Sequence, residues 1–266
     1  MPMIAVNGTD IFYLDEGPRD APALVFSASM FFDADMFSAQ ADAFSEEYRV
    51  IRYDHRGQGR SARAPRDQLD MDTLAEDAAA LIEALGAAPC TFVGNSMGGF
   101  IALRLAARRP ELIRSIVVMG SSADAEDHPE EMDRLVEVVK EHGVAPALEP
   151  VLHFMLGDTT LTAPERAPIL ESVKALLLSR TPEYADAAWQ IAHRKSVLEE
   201  IGAIARPTLI VAGTEDHTYP PHKSERMAAL IPGSKLIRME KTGHVHAVEN
   251  PSAVNAALRE HLAALD

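Results

Sequence analysis

Four short apolar runs constrain the fold of this 266-residue chain more than any other feature. They do not alternate polar and apolar residues, which is typical of strands buried on both faces of a parallel sheet. The four runs are ALVFS (23–27), RVIRYD (49–54), CTFVGN (90–95) and SIVVMG (115–120), and two later strand-like runs are PTLIVAG (207–213) and KLIRME (235–240). An N-terminal hairpin around Asn7-Gly8 adds two antiparallel strands. We therefore predict an α/β fold with a mostly parallel eight-stranded sheet.

Helical patterns lie between the predicted strands, at 36–47, 73–86, 97–109 and 251–265. Strand and helix alternation predicts an open sheet with helices on both faces. After Gly120 the pattern changes, because the following stretch has helical periodicity, several prolines and no convincing strand. We predict one core domain made of residues 1–122 and 198–266, with a helical insertion at 123–197 after the sixth strand.

Composition excludes several classes of function. The net charge of −15 argues against a nucleic-acid partner, which usually requires a basic face. The one cysteine, Cys90, cannot form a disulfide within the chain, and together with the absence of a signal peptide pattern it predicts a cytoplasmic location. No apolar run approaches the roughly 18 residues that would predict a membrane span. The sequence leaves open whether the protein forms a homo-oligomer.

The strongest local signal is FVGNSMGGF, residues 92–100. A strand pattern leads into Gly94-x-Ser96-x-Gly98, and an apolar-periodic helix follows. This is the pattern of a nucleophile elbow, a strained strand–turn–helix that projects a serine above the sheet. Side chains at 94 and 98 would collide with the neighbouring strand and helix, so both positions require glycine. The pattern predicts Ser96 as a catalytic nucleophile.

A serine nucleophile needs a base, since its hydroxyl is otherwise weakly nucleophilic. Of the ten histidines, His244 lies just after the last strand, which places it at the same carboxyl edge of the sheet as Ser96. We prefer it over His246 because Gly243 frees the backbone beside it. The histidines show no metal-ligand spacing, so we expect no metal site, and no cofactor is expected.

The base needs a carboxylate that stays ionised and orients the imidazole. Glu215 and Asp216 both follow a predicted buried strand, and Asp216 fits better because the Gly-x-x-Asp spacing places it at the crest of the loop. Asp124, after an earlier strand, remains an alternative. With Asp216, the chain order is Ser, Asp, His, as the hydrolase template requires.

These motifs resemble the α/β-hydrolase superfamily over nearly the whole chain, most closely its 3-oxoadipate enol-lactonase-like branch. The matching pieces are DHRGQGRS (54–61), GNSMGG (94–99), GTEDHTYPP (213–221) and GHVHAVENP (243–251). The resemblance implies that 123–197 is a helical cap over the active site. Where the branch tends to show Arg-Trp, this chain has His153-Phe154, and the GNSMGG elbow is more similar to hydrolases of carbon–carbon bonds.

The loop after the third strand, Ser27-Ala28-Ser29-Met30, is similar to the Ser-Asn-Ser-Leu of the branch, with Phe31 replacing its next glycine. We expect the backbone N–H groups of Met97 and Met30 to form the oxyanion hole, because two donors must stabilise the developing charge. The residues expected to line an apolar substrate pocket are Ser29, Phe31, Phe32, Phe154 and Trp189.

The predicted function is hydrolysis of a carboxylic ester or lactone on a small molecule through a Ser96, His244, Asp216 triad and an acyl-enzyme. Three alternatives use the same scaffold: a carbon–carbon bond hydrolase of ring-cleavage diketones, a perhydrolase or aryl esterase, and a non-catalytic ligand receptor. Enzymes of this fold with an aspartate nucleophile are excluded, since position 96 is serine.

Overall fold

The computed structural model describes residues 2–265, and eight strands form one sheet at its centre. The strands are β1 (Met3–Val6), β2 (Thr9–Glu16), β3 (Ala23–Ser27), β4 (Arg49–Tyr53), β5 (Cys90–Asn95), β6 (Ile113–Met119), β7 (Thr208–Gly213) and β8 (Lys235–Met239). Their order is β1-β2-β4-β3-β5-β6-β7-β8. The pairs β1–β2 and β2–β4 are antiparallel, and the other pairs are parallel. The predicted mostly parallel eight-stranded sheet is therefore confirmed.

Twelve α-helices surround the sheet within residues 2–265. They are α1 (Ser38–Phe44), α2 (Met71–Ala84), α3 (Met97–Arg108), α4 (Pro129–His142), α5 (Leu148–Met155), α6 (Asp158–Thr162), α7 (Ala167–Leu178), α8 (Tyr184–Ala192), α9 (Leu198–Ile201), α10 (Pro221–Leu230), α11 (His246–Glu249) and α12 (Pro251–Ala263). Across the described part of the chain, none of these helices combines the length and the apolar character that crossing a bilayer requires.

Two helix starts differ from the sequence pattern for a local reason. Helix α2 begins at Met71 rather than 73, because the Asp70 carboxylate caps it by accepting from the N–H groups of Asp72 and Thr73. The helix predicted to begin at residue 36 starts as a 3₁₀ turn at Ala34–Phe37, and the α-helix α1 begins only at Ser38. Both differences are one turn or less and leave the order of elements unchanged.

The central strands place their carboxyl ends side by side. All residues of β3, β4, β5 and β7 are buried, so these strands form the middle of the core. Gly94 of β5 pairs with Ser27 of β3 on one side and with Val118 of β6 on the other. In a parallel sheet, loops that leave this edge meet at one place, which is the usual location of a binding site in open α/β folds.

The segment 123–197, called the cap segment below, contains α4 to α8 and joins β6 to the rest of the sheet through α9. Its corner between α5 and α6 rests on the loop after β8. The Val245 N–H donates to the Met155 carbonyl at 3.2 Å, and a side chain on Gly243 would place its Cβ 2.1 Å from the Gly157 nitrogen.

Glycine is therefore needed at position 243 for a different reason from the one predicted from the sequence. Positive φ near this loop occurs at Lys241, with φ of 52°, and not at Gly243. Glycine is required at 243 because the backbone of the cap segment, around Gly157, passes against it. The argument that Gly243 frees the backbone beside His244 was therefore wrong, although His244 does follow the last strand, as the sequence pattern predicted.

The carboxylate of Glu249, at the end of α11, is buried at the same junction. Its Oε2 accepts from the Gly157 N–H at 2.8 Å, whereas its Oε1 has no hydrogen-bond partner among the described residues. Burial raises the pKa of the Glu249 carboxyl to about 6, although hydrogen bonds from the protein favour the ionised form. Ionising the Glu249 carboxyl group is thus costly in the folded protein.

Replacing Glu249 by glutamine should change how stability depends on pH. A raised folded-state pKa stabilises the native protein below the unfolded value of 4.5, and this contribution is lost as the pH rises through about 6. The free energy of unfolding of Glu249→Gln relative to wild type should therefore increase by about 2 kcal/mol between pH 4 and pH 7.5. Urea unfolding across this range measures the difference. The exposed Glu171→Gln is the matched control, and a pH-independent difference for Glu249→Gln would contradict the prediction.

Candidate active site

Ser96 lies at the sharp turn between β5 and α3. Its φ of 54° and ψ of −111° are the strained geometry expected of an elbow. The turn is closed by direct backbone contact: a Cβ on Gly94 would lie 2.1 Å from the Gly98 carbonyl oxygen, and a Cβ on Gly98 would lie 2.0 Å from the Ser27 carbonyl oxygen. No side chain fits at either position, which is the reason inferred from the sequence.

His244 and Asp216 form a buried pair. The His244 Nδ1 lies 3.1 Å from Asp216 Oδ2 and 3.2 Å from Oδ1, and we assign the shared proton to Nδ1 because an ionised carboxylate only accepts. Burial alone would raise the pKa of the Asp216 carboxyl, but the His244 charge and hydrogen bond outweigh it and hold that pKa below its ordinary value. Asp216 Oδ1 also accepts from the N–H groups of Thr218 and Tyr219.

The other candidates for base and acid have separate partners. The His246 Nδ1–H donates to the His244 carbonyl at 3.1 Å, and burial lowers the pKa of the His246 imidazole to about 4. Asp124 forms ion pairs with Lys223 and Arg226. The structure places Asp216, and not Asp124, against His244.

A cavity of about 440 Å³ opens above the sheet edge and includes both Ser96 and His244 in its wall. Most of the wall is apolar and comes from α4, α5 and α8 of the cap segment. Its other lining residues are Met30, Phe31, Glu126, Asp127, His128, Glu131, Met132, Leu135, Val136, Val139, Pro150, Val151, Phe154, Met155, Ala188, Ile191, His217, Thr218 and Tyr219.

The predicted pocket residues divide into two groups. Phe31 and Phe154 line the cavity, together with Met30. Ser29 and Phe32 are buried behind the wall, and Trp189 stacks on the His193 ring at 4.0 Å, so these three side chains are not part of it. Sequence position alone could not separate the groups, because neighbouring residues in a turn point in different directions.

The loop after β3 forms a tight turn that presents Met30. The Phe32 N–H donates to the Ser29 carbonyl at 3.1 Å, and Phe31 at the third position has φ of 70°. That is the position at which a type II turn favours glycine, so Phe31 is strained. Across the described residues, the backbone N–H groups of Met30 and Met97 donate to no protein acceptor. Both donors are therefore available to a bound carbonyl oxygen.

Arg180, which follows α7, holds this turn from the cap segment. Its Nε donates to the Phe31 carbonyl at 2.6 Å, and its Nη2 pairs with Asp33 at 2.9 Å. The Tyr184 ring stacks on Phe31 at 5.9 Å between centroids, and its hydroxyl accepts from the Gly59 N–H. Sequence reasoning missed Arg180, because 149 positions separate it from Phe31 and no local pattern signals the contact.

A second group of polar side chains includes His217, which lines the cavity. His153, Asp158 and His217 bring three potential ligand atoms within 4.8 Å of one another, although their spacing in the chain gave no such signal. The two imidazole rings stack at 4.1 Å, and His217 Nε2 lies 3.0 Å from Asp158 Oδ1. The fold therefore brings together potential ligands from two distant parts of the sequence.

Known proteins share both the sequence pattern and the architecture. Residues 22–251 match the family described as the alpha/beta hydrolase fold. The putative carbamate hydrolase RutD of Klebsiella pneumoniae is 29% identical over 248 residues, covering 92% of each chain. A thermophilic esterase from Thermogutta terrifontis superposes with a TM-score of 0.91 at 26% identity, covering 100% of this chain and 99% of that chain. The enol-lactonase from Burkholderia xenovorans LB400 gives 0.88 at 28% identity, covering 98% and 100%.

The family match covers most of the chain, and the structure contains the eight-stranded sheet that the sequence motifs predict. The chain belongs to the α/β-hydrolase family.

Proposed function

We propose that this protein is a serine hydrolase that cleaves a carboxylic ester or lactone through a Ser96, His244, Asp216 triad. The observation that carries the proposal is the position of a strained serine and a carboxylate-bound histidine in the wall of one cavity. Family membership supports hydrolysis in general, and the esterase and enol-lactonase neighbours support an ester or lactone bond.

The chemistry follows from the protonation of the pair. With the proton on Nδ1 bound to Asp216, the His244 Nε2 lone pair is free to take the proton from the Ser96 hydroxyl. Ser96 Oγ then attacks the carbonyl carbon, and the leaving alcohol takes the proton from His244 as the acyl-enzyme forms. Water activated by the same imidazole releases the acid and restores Ser96. Asp216 stays ionised throughout, in agreement with its lowered pKa.

The oxyanion hole consists of the N–H groups of Met97 and Met30. Met97 is the first residue of α3, so its N–H points out of the helix end, where the helix dipole also favours negative charge. Met30 is presented by the turn that Arg180 holds. We also propose that the cap segment closes the cavity and provides most of its apolar wall, which excludes water from the reacting groups.

A carbamate is the second candidate substrate, supported by the name of the curated relatives. Its carbonyl is attacked by the same serine and stabilised by the same hole, so the machinery alone does not separate the two. A substrate panel of a neutral aryl ester, a lactone, an aryl carbamate and a vinylogous diketone, assayed in parallel, ranks them. Turnover confined to the diketone would replace the ester proposal with carbon–carbon bond cleavage.

The charges around the cavity favour a substrate without a carboxylate. Glu126, Asp127 and Glu131 line it, and the buried Arg194 is already neutralised by Glu126 at 2.7 Å. The Arg194 guanidinium also lies over the Phe100 ring, outside the lining of the cavity. An incoming anion would therefore meet acidic side chains and no free cation among the lining residues described.

Ser96→Ala should abolish turnover without unfolding the protein. We expect kcat for a neutral aryl ester to fall at least about 1,000-fold, since the nucleophile is removed and only the hole and binding remain. A fluorophosphonate should label wild type and not the variant. The exposed Ser252→Ala, on α12, is the matched control and should keep full activity. Ester turnover by purified Ser96→Ala at the wild-type rate would contradict the assignment.

Arg180→Met should lower kcat about 10-fold with little change in KM, because the strained turn that presents Met30 loses its support while the cavity wall is retained. The same change in a Phe31→Gly background should have a smaller effect, since glycine adopts positive φ without strain. Steady-state kinetics of wild type, the two single variants and the double variant measure the coupling between Arg180 and Phe31. Equal losses in both backgrounds would show that Arg180 does not act through the turn.

A neutral ester should be preferred over one with a terminal carboxylate. We expect kcat/KM for p-nitrophenyl butyrate to exceed that for the p-nitrophenyl half-ester of succinate by about 10-fold or more, through repulsion by the acidic lining. Glu126→Gln should reduce this ratio, because it leaves Arg194 unpaired beside the cavity. A ratio near one in wild type would refute the charge argument while leaving the triad untouched.

A further inference from the structure

The group formed by His153, Asp158 and His217 joins two parts of the molecule. His153 is on α5 and Asp158 begins α6, both in the cap segment, whereas His217 belongs to the loop after β7. His217 also lines the cavity and directly follows Asp216. The group therefore lies where the cap segment meets the loop that carries the proposed catalytic acid.

The donor set is that of a transition-metal site. Two imidazole nitrogens and one carboxylate oxygen are ligands that Zn²⁺, Ni²⁺ and Cu²⁺ accept, while Mg²⁺ and Ca²⁺ require mainly oxygen. Three protein ligands leave a fourth tetrahedral position for water. None of the three side chains is needed for the core, since His153 and Asp158 are exposed and His217 is partly exposed.

The geometry is close to what a bound ion needs. Two ligand atoms about 2.1 Å from a tetrahedral metal are about 3.4 Å apart. The three ligand atoms here are within 4.8 Å of one another, and the His217 to Asp158 distance is already 3.0 Å. The rings stack with an angle of 20° between their planes, so coordination requires the exposed His153 side chain to rotate until one of its nitrogens faces the other two ligands.

We propose that His153, Asp158 and His217 bind one divalent transition-metal ion, for which Zn²⁺ is the probe, and that the bound ion slows hydrolysis. The binding step stands on the geometry alone. The inhibitory step rests on the proposed function: an ion that bridges α5, α6 and the His217 loop fastens the cap segment over the cavity. Substrate access and product release then become slower.

Neighbouring contacts support a mechanical link. The Thr218 hydroxyl donates to the Phe154 carbonyl at 2.6 Å, and the Thr159 N–H donates to Glu215 at 2.7 Å. Hydrogen bonds therefore already join the cap segment and this loop beside the three ligands. A metal would add bonds between the same two parts and would restrict the opening that these hydrogen bonds permit.

Calorimetric titration of Zn²⁺ into the full-length protein, with any affinity tag removed, tests the site. We expect one saturable site with Kd below about 100 µM, no binding of Mg²⁺, and at least about 10-fold weaker Zn²⁺ binding in His153→Ala, Asp158→Asn and His217→Ala, since each loses one of three ligands. The exposed His142→Ala, at the end of α4, is the matched control and should bind like wild type.

The same titration with Ser96→Ala separates the two proposals, because Zn²⁺ should bind it as tightly as wild type even though it does not turn over substrate. In wild type, ester turnover should fall at least threefold at saturating Zn²⁺ and recover with EDTA, and Asp158→Asn should need about 10-fold more Zn²⁺ for the same loss. No saturable binding, or binding that all three variants retain, would overturn the site. Tight binding with unchanged turnover would overturn the inhibitory step alone.

Discussion

The close backbone approach at the elbow is the contact on which the site depends. Helix α3 can start directly against β3 and β5 only because positions 94 and 98 lack side chains. The same contact brings the Ser27 carbonyl, and with it the loop that carries Met30, beside the start of α3. The proposed nucleophile Ser96, the N–H at the start of α3 and the loop that carries Met30 are thereby set relative to each other by backbone packing. Backbone positions set in this way vary little, which suits a site that must be preorganised.

Support for the histidine comes from the opposite side of the same edge. The Asn95 side chain, next to Ser96, donates to the His244 carbonyl at 2.9 Å, so the elbow and the histidine loop are tied directly. The cap segment presses on that loop through Gly157 and Gly243, which face each other without side chains. Glu249 completes the contact with a buried carboxylate. The cap segment is therefore packed against the loops of the proposed triad as well as lining the cavity.

Strain is concentrated at two residues of the proposed machinery. Ser96 and Phe31 both have positive φ, and each is held by contacts from distant parts of the chain. At Phe31 the usual solution would be a glycine, and here Arg180 and Tyr184 of the cap segment hold a large side chain in that conformation instead. The result is an apolar wall next to the proposed oxyanion donors, formed by a strained turn that depends on contacts from the cap segment.

The local patterns predicted most of the fold, since six of the strands are short runs rich in apolar residues, and all of these except the edge strand β8 are buried along all or nearly all of their length. The elbow was equally readable, because Gly94, Ser96 and Gly98 lie within five consecutive positions and the two glycines are required for steric reasons. His244 and Asp216 could be placed at the sheet edge by topology. Ser29, Phe32 and Trp189 could not be separated from Phe31 and Phe154, because side-chain direction in turns and between packed helices depends on the surrounding structure.

Residues close together in the chain were enough to predict the family, the succession of strands and helices, and Ser96 as the candidate nucleophile. The packing of distant segments was needed to show that His244 pairs with Asp216 and not Asp124, that Arg180 holds Phe31, and that His153, Asp158 and His217 meet. These contacts join positions up to 149 apart. Their geometry is set by how the cap segment packs on the sheet edge, and no local pattern of residues encodes that packing.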